Sequence, residues 1–263
     1  MVVIDEYSLT AIPLTMLCND KEIGTATGFF HKSGDKFWII SNWHVFSGRN
    51  PITGQSLRKD AALPDAIRLW LHIENKMGSV AQQKVALVDA AGEPIWRQHK
   101  RGQDYDVAVL RVGTLPKGCI AYDLPRPRET GDMGIKIGMD AYILGFPKGI
   151  ANNKILPIWK RGSIASEPEL PHDDKPLFLL DTATREGMSG APVLLRTFGG
   201  YHSTDGNQNL VVGASTRFVG IYSGRYVADD EFGAQLGRVW HRSVIDQVIA
   251  DGVKGSYELR GDR

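Results

Sequence analysis

The sequence predicts an all-β chain of two six-strand units followed by one C-terminal helix. Three observations predict it. Short apolar runs separated by Gly, Pro, Asn and Asp dominate the chain, the pattern of a sandwich or barrel. Helical periodicity is scarce outside one stretch near the end. A Gly-, Pro- and charge-rich segment, 113–135, divides the runs into two sets and reads as a linker.

The N-terminus, MVVIDEYSLTAIPLTML, carries Asp5 and Glu6 where a secretory leader needs basic residues, and Ser8, Thr10 and Pro13 break its apolar stretch. It reads as a first strand. In the first half the strand candidates are 8–17, 23–31, 36–41, 66–74, 80–88 and 105–112. In the second half they are 140–145, 155–166, 177–181, 191–196, 210–223 and 236–240. The helix follows in RVWHRSVIDQVIADG, where Val244, Ile245, Val248 and Ile249 recur at helical spacing and Gly252 signals the stop. The segments 47–65, 168–176 and 197–209 are polar and loop-like. The expected organisation is therefore an N-terminal unit over 1–112, a linker over 113–135 and a C-terminal unit with its helix over 136–263.

Composition bounds the function. The chain has 263 residues, 42% hydrophobic, enough for one large or two small cores. Lys plus Arg number 31 and Asp plus Glu 30, so no basic surface is expected and neither nucleic acid nor an anionic membrane is an expected partner. Nothing approaches the ~18 apolar residues of a membrane span. Cys18 and Cys119 form neither CxxC nor a metal spacing, and ordinary thiols in a reducing cytoplasm are the expectation. His31, His72, His99, His172, His202 and His241 are scattered, with no HExxH or HxH, so no metal and no cofactor is expected.

A serine nucleophile is weak at neutral pH and needs a base in hydrogen-bond reach and donors for the developing oxyanion. The serine candidate is Ser189 in REGMSGAPVLL, flanked by Gly187 and Gly190 and followed at once by an apolar strand. Such glycines permit a tight turn whose backbone N–H groups converge; alone, the motif also suits a plain surface turn. The histidine candidate is His44 in KFWIISNWHVFSG, just past a strand and the helix-start signal Ser41-Asn42; alone, it also suits a buried structural histidine. The carboxylate candidate is Asp106, which opens the apolar run Val107-Ala108-Val109-Leu110. Asp104 shares its strand face and is the competitor, farther from the apolar anchor.

With these in the order His, Asp, Ser, the chain resembles the trypsin-like (chymotrypsin-fold) serine peptidases, especially bacterial members without disulfides. The likeness covers roughly residues 8–250 and is carried by GTATGFF (24–30), IISNWHVF (39–46), DYDVAVLRV (104–112), AYILGFPKG (141–149), KRGSIAS (160–166), EGMSGAPVL (186–194) and VGIYSGR (219–225). The resemblance implies two antiparallel β-barrels with the active site between them. It makes His44 the general base, Asp106 its orienting carboxylate and Ser189 the nucleophile, with the Gly187 and Ser189 N–H groups as oxyanion hole. It also implies that Ser223-Gly224-Arg225 is the edge strand that pairs with an extended protein or peptide substrate. Ala183 falls at the base of the primary specificity pocket, with Thr184 nearby. Members selective for Arg or Lys carry an acid where Ala183 stands, so a small uncharged pocket for a modest apolar side chain is expected; Asp229, Asp230 and Glu231 could still bring an acid from another direction.

Two departures carry consequences. Met188 stands where zymogen-type members have the acid that pairs with a new N-terminus, so control is expected to come from loop ordering, a regulatory protein partner or substrate supply. Ala191 replaces a second glycine, a small change. The alternative to a regulated peptidase with a restricted substrate is a protease fold used as a non-enzymatic binding module. An α/β-hydrolase would need the order Ser, acid, His and alternating helices.

Overall fold

A computed structural model describes residues 3–33, 36–76, 78–124, 133–152, 155–203, 210–225 and 235–257. The expected all-β class is what it shows. The first half comprises β1 (Ala11–Cys18), β2 (Lys21–Ser33), β3 (Lys36–Ser41), the single-turn α1 (Trp43–Ser47), β4 (Ala66–Ile73), β5 (Val80–Ala86), β6 (Arg97–Gln98), β7 (Ala108–Val112) and β8 (Cys119–Ile120). The second comprises β9 (Asp140–Gly145), β10 (Ile158–Ile164), β11 (Leu177–Asp181), β12 (Pro192–Thr197), β13 (Gly200–His202), β14 (Leu210–Val212), β15 (Ser215–Arg225) and β16 (Leu236–His241), then α2 (Arg242–Asp251) and β17 (Val253–Lys254).

The second half closes as a six-strand barrel in the order β10-β11-β16-β15-β12-β9. The first is a nine-stranded sheet, β17-β6-β7-β3-β2-β1-β4-β5, with β8 beside β4. Every ladder within both is antiparallel. Apolar side chains form three clusters. One fills the first sheet around Ile12, Phe30, Ile39, Phe46 and Trp96. One fills the closed barrel around Ile143, Phe178, Met188, Val193 and Tyr222. The third, with Phe29, Ile40, Tyr105, Phe146, Leu194 and Trp240, lies between the halves and joins them. Burial of large side chains on this joint, about 1.5–3 kcal/mol each, fixes the two strand systems against one another.

Local differences from the sequence reading have local causes. The first strand starts at Ala11 because Glu6–Leu9 form a 3-10 turn capped by the Asp5 carboxylate, which accepts from the Tyr7 N–H. The run 210–223 is two strands, since Gly213 (φ 134°) breaks it. Chain direction also reverses after α2: β17 pairs with β6, and Gly255 donates to the Trp96 carbonyl at 2.8 Å. Arg97 ties this return by donating to the carbonyls of Ile249 and Gly252. The last described residues thus complete the first sheet. Part of the expected linker, 125–132, lies outside the described residues, and its 119–120 portion pairs with β4.

Candidate active site

His44 sits in α1, one turn beyond β3. The Asn42 side chain makes no cap to this helix; its amide donates to the Asp106 carbonyl at 2.8 Å. Gly48, in the left-handed region (φ 68°), ends the turn with its N–H on the His44 carbonyl. Trp43, Val45 and Phe46 are buried around it, and the Trp43 indole donates to Gln98 Oε1 at 2.8 Å. The turn is therefore held on both flanks and in line.

Asp106, 2% exposed, precedes β7. A buried carboxylate requires hydrogen-bond donors, and it has them. The His44 N–H donates to Oδ1 at 2.9 Å, His44 Nδ1 stands 2.7 Å from Oδ2, and the Ser223 hydroxyl donates to Oδ2 at 2.5 Å. Facing a carboxylate, Nδ1 carries the ring proton, which leaves Nε2 of the neutral ring as an acceptor. Asp104 takes no part. It ends the 3-10 turn Gly102–Asp104 and faces Arg101 at 3.6 Å.

Ser189 occupies a turn that only glycine permits at two places. Gly187 (φ 90°) would place a Cβ 2.2 Å from the Phe146 carbonyl oxygen, and Gly190 (φ 84°) one 2.1 Å from the Thr27 carbonyl oxygen. Thr27, wholly buried on β2, fastens this turn. Its N–H donates to the Ser189 carbonyl at 2.9 Å, and its hydroxyl donates to the Gly187 carbonyl at 2.7 Å while accepting from the Phe146 N–H at 3.2 Å. The Thr27 carbonyl accepts from the Ser41 hydroxyl at 2.9 Å. Ser41 ends β3, so Thr27 links the serine turn to the strand end that leads into the histidine. Among the described residues no hydrogen bond joins the Ser189 hydroxyl to His44, and the N–H groups of Gly187 and Ser189 donate to nothing. The Glu186 carbonyl accepts from the Lys148 N–H at 2.7 Å. In a trans peptide the adjoining Gly187 N–H points the opposite way, away from the protein contact.

A model of the trypsin-like peptidase domain matches residues 26–199. The chain belongs to this family. Solved structures share the trypsin-like fold at low identity. Protease Anisep from Arthrobacter nicotinovorans is 12% identical, with 91% of this chain and 93% of that chain covered at a TM-score of 0.53. The thermostable serine protease AL20 from an extremophilic microorganism is 11% identical, with 92% and 96% covered at 0.51. A serine endoprotease from Yersinia pestis is 14% identical at 0.50, with 95% of this chain and 66% of that one covered. No curated protein matches the chain by sequence.

In this trypsin-like domain the segment Ser223-Gly224-Arg225 ends β15 at a bulge. Ser223 is 2% exposed and its hydroxyl is spent on Asp106, so that side chain does not face a substrate. Gly224 (φ 90°) is partly open and has nothing within 4 Å of a built Cβ, and Arg225 is exposed. Thr184 is buried and Ala183 partly buried. Asp229, Asp230 and Glu231 lie outside the described residues. Sequence reading missed Thr27 and Tyr222, and it took Asn42 for a helix-start signal without its bond to Asp106. Each acts on residues far away in the chain, and nothing adjacent to them announces it.

Proposed function

We propose that this chain is a serine endopeptidase that cleaves protein or peptide substrates through an acyl-enzyme, with Ser189 as nucleophile, His44 as general base and acid, and Asp106 as the carboxylate that orients the histidine. The observation that carries this reading is the Asp106 carboxylate shared by the His44 ring and backbone at 2.7 and 2.9 Å, with Thr27 linking the Ser189 turn to Ser41 at the strand end before His44. In the mechanism, His44 Nε2 takes the Ser189 hydroxyl proton as Oγ bonds the scissile carbonyl carbon, and the resulting imidazolium is stabilised by Asp106. The unengaged Gly187 and Ser189 N–H groups receive the oxyanion, each worth about 3 kcal/mol in the transition state. His44 then gives its proton to the leaving amine, and a water activated by the same ring releases the acyl group. The open edge at Gly224-Arg225 is suited to pairing with an extended substrate backbone.

We further propose a regulated enzyme with a restricted substrate in a reducing cytoplasm. Met188 is 1% exposed and cannot pair with an amine, and the Thr27 bonds hold the serine turn in place of such a pair. Cys18 and Cys119 are free thiols. A regulatory partner or loop ordering then supplies control. The decisive experiment is labelling with a fluorophosphonate. Labelling of the wild type that vanishes in Ser189→Ala supports the enzyme, whereas no labelling of folded wild type favours a binding module. N-terminal labelling of cell proteins, wild type against Ser189→Ala, reads the substrate range; broad digestion of unfolded casein by the purified chain would overturn the restricted range.

A further inference from the structure

Two segments flank Ser189, residues 183–187 leading into it and residues 222–225 alongside. The Gly190 N–H donates to the Tyr222 carbonyl at 3.0 Å and the Tyr222 N–H to the Ala191 carbonyl at 2.9 Å, which sets Tyr222 directly beside the serine turn. By the resemblance drawn above, a side chain next to a carbonyl held at Ser189 enters between these segments. The Tyr222 side chain crosses that gap. Its hydroxyl is hydrogen-bonded to Thr184 Oγ1 on the opposite segment. Its ring lies against the backbone of Gly237 on β16, where a built Cβ would stand 2.4 Å from ring atom Cε2 and 3.2 Å from the hydroxyl. Glycine at 237 is what lets the ring lie there. The residues around it are closed to solvent: Tyr222 and Val239 are 0% exposed, Thr184 2% and Thr182 4%. Burial raises the Tyr222 phenol above its ordinary value, so it stays neutral and hydrogen-bonding. Ala183, between Thr182 and Thr184, keeps partial exposure.

We propose that Tyr222 is a specificity-determining residue: with Thr184 it closes the recess beside Ser189, so that the residue contributing the scissile carbonyl is glycine, alanine or serine. This rests on the serine-peptidase reading above and commits it to substrates cleaved after small residues. A larger side chain has to break the Tyr222–Thr184 contact and displace a wholly buried ring, whereas a methyl group fits over Ala183.

The test compares two N-acyl aminophosphonate diphenyl esters, one bearing a methyl and one a benzyl side chain, on wild type, Tyr222→Phe and Tyr222→Val. The wild type is expected to react at least about 100-fold faster with the methyl reagent, at the scale by which pocket fit discriminates side chains. Tyr222→Phe keeps the ring and the preference, and Tyr222→Val narrows it by about 10-fold or more. Equal rates in the wild type overturn the inference without any variant, as does an unchanged ratio in folded Tyr222→Val. A fluorophosphonate, which carries no such side chain, separates the two readings. If it labels Ser189 while the methyl reagent does not, this inference alone fails. If it does not label, the nucleophile assignment fails and takes this inference with it.

Discussion

The Thr27 hydroxyl donates a 2.7 Å hydrogen bond to the carbonyl of Gly187, 160 residues away in sequence. One side chain of the first sheet thereby sets the peptide next to the serine in the half that forms the closed barrel. Thr27→Val keeps the shape but strands two buried groups, the Gly187 carbonyl and the Phe146 N–H. It is expected to cost about 1–3 kcal/mol and to slow fluorophosphonate labelling, while Thr27→Ser restores both. A urea midpoint for Thr27→Val equal to wild type would refute this.

Ser189→Ala is expected to remove all peptide hydrolysis and leave the fold unchanged. The Ser189 side chain makes no hydrogen bond among the described residues, and its backbone carbonyl, which Thr27 holds, is retained. Turnover near wild type, with an unaltered thermal transition, would end the nucleophile assignment.

Asp106→Asn presents an amide where His44 Nδ1 needs an acceptor, so the ring loses the tautomer that frees Nε2. Turnover is expected to fall about 10⁴-fold, as in the template triad. Asp104→Asn touches only the Arg101 pair on the surface and is expected to change turnover little. Kinetics of the two variants side by side check this, and a reversed ranking would exchange the roles of the two residues.

Acid is expected to destabilise the fold through the buried His72 and the half-buried His241. Burial holds His72 and His241 below their ordinary value of 6.5. Above that value both folded and unfolded chains carry them neutral. As pH falls through it, the unfolded chain takes up protons that the folded chain refuses, so stability declines, by at most about 1.4 kcal/mol per pH unit for each group. The decline levels off once the folded-state values are passed. His72→Phe is expected to flatten the profile between pH 6.5 and 5 in urea titrations; a slope identical to wild type counts against burial of His72 as a source.

Much of the candidate site's placement was legible because His44, Asp106 and Ser189 each sit at a junction that sequence marks. His44 follows an apolar strand and the helix-start pair Ser41-Asn42, Asp106 precedes an apolar run, and Ser189 stands between glycines that φ and contacts both demand. What could not be read is what crosses the chain. Ser223 is legible as edge-strand backbone, yet its hydroxyl belongs to Asp106, 117 residues earlier. Trp43 had no sequence partner and meets Gln98 in the core of the first sheet. Tyr222 looks like one more apolar strand residue, and only the opposing Gly237 and Thr184 reveal the space it takes. Strand ends failed similarly: Gly213 splits a continuous apolar run because its φ of 134° interrupts the ladder, which hydrophobic patterning does not register.

The pairing of β17 with β6, and of Gly255 with Trp96, has a consequence for biogenesis. A ribosome that has produced the whole N-terminal half still carries it with a bare strand edge and an uncovered indole, the kind of edge that invites wrong pairing. Those are sealed only when residues 253–257 emerge. The half begun first is finished last, and a chain halted just after α2 retains every reactive group while lacking the piece that locks its oldest part.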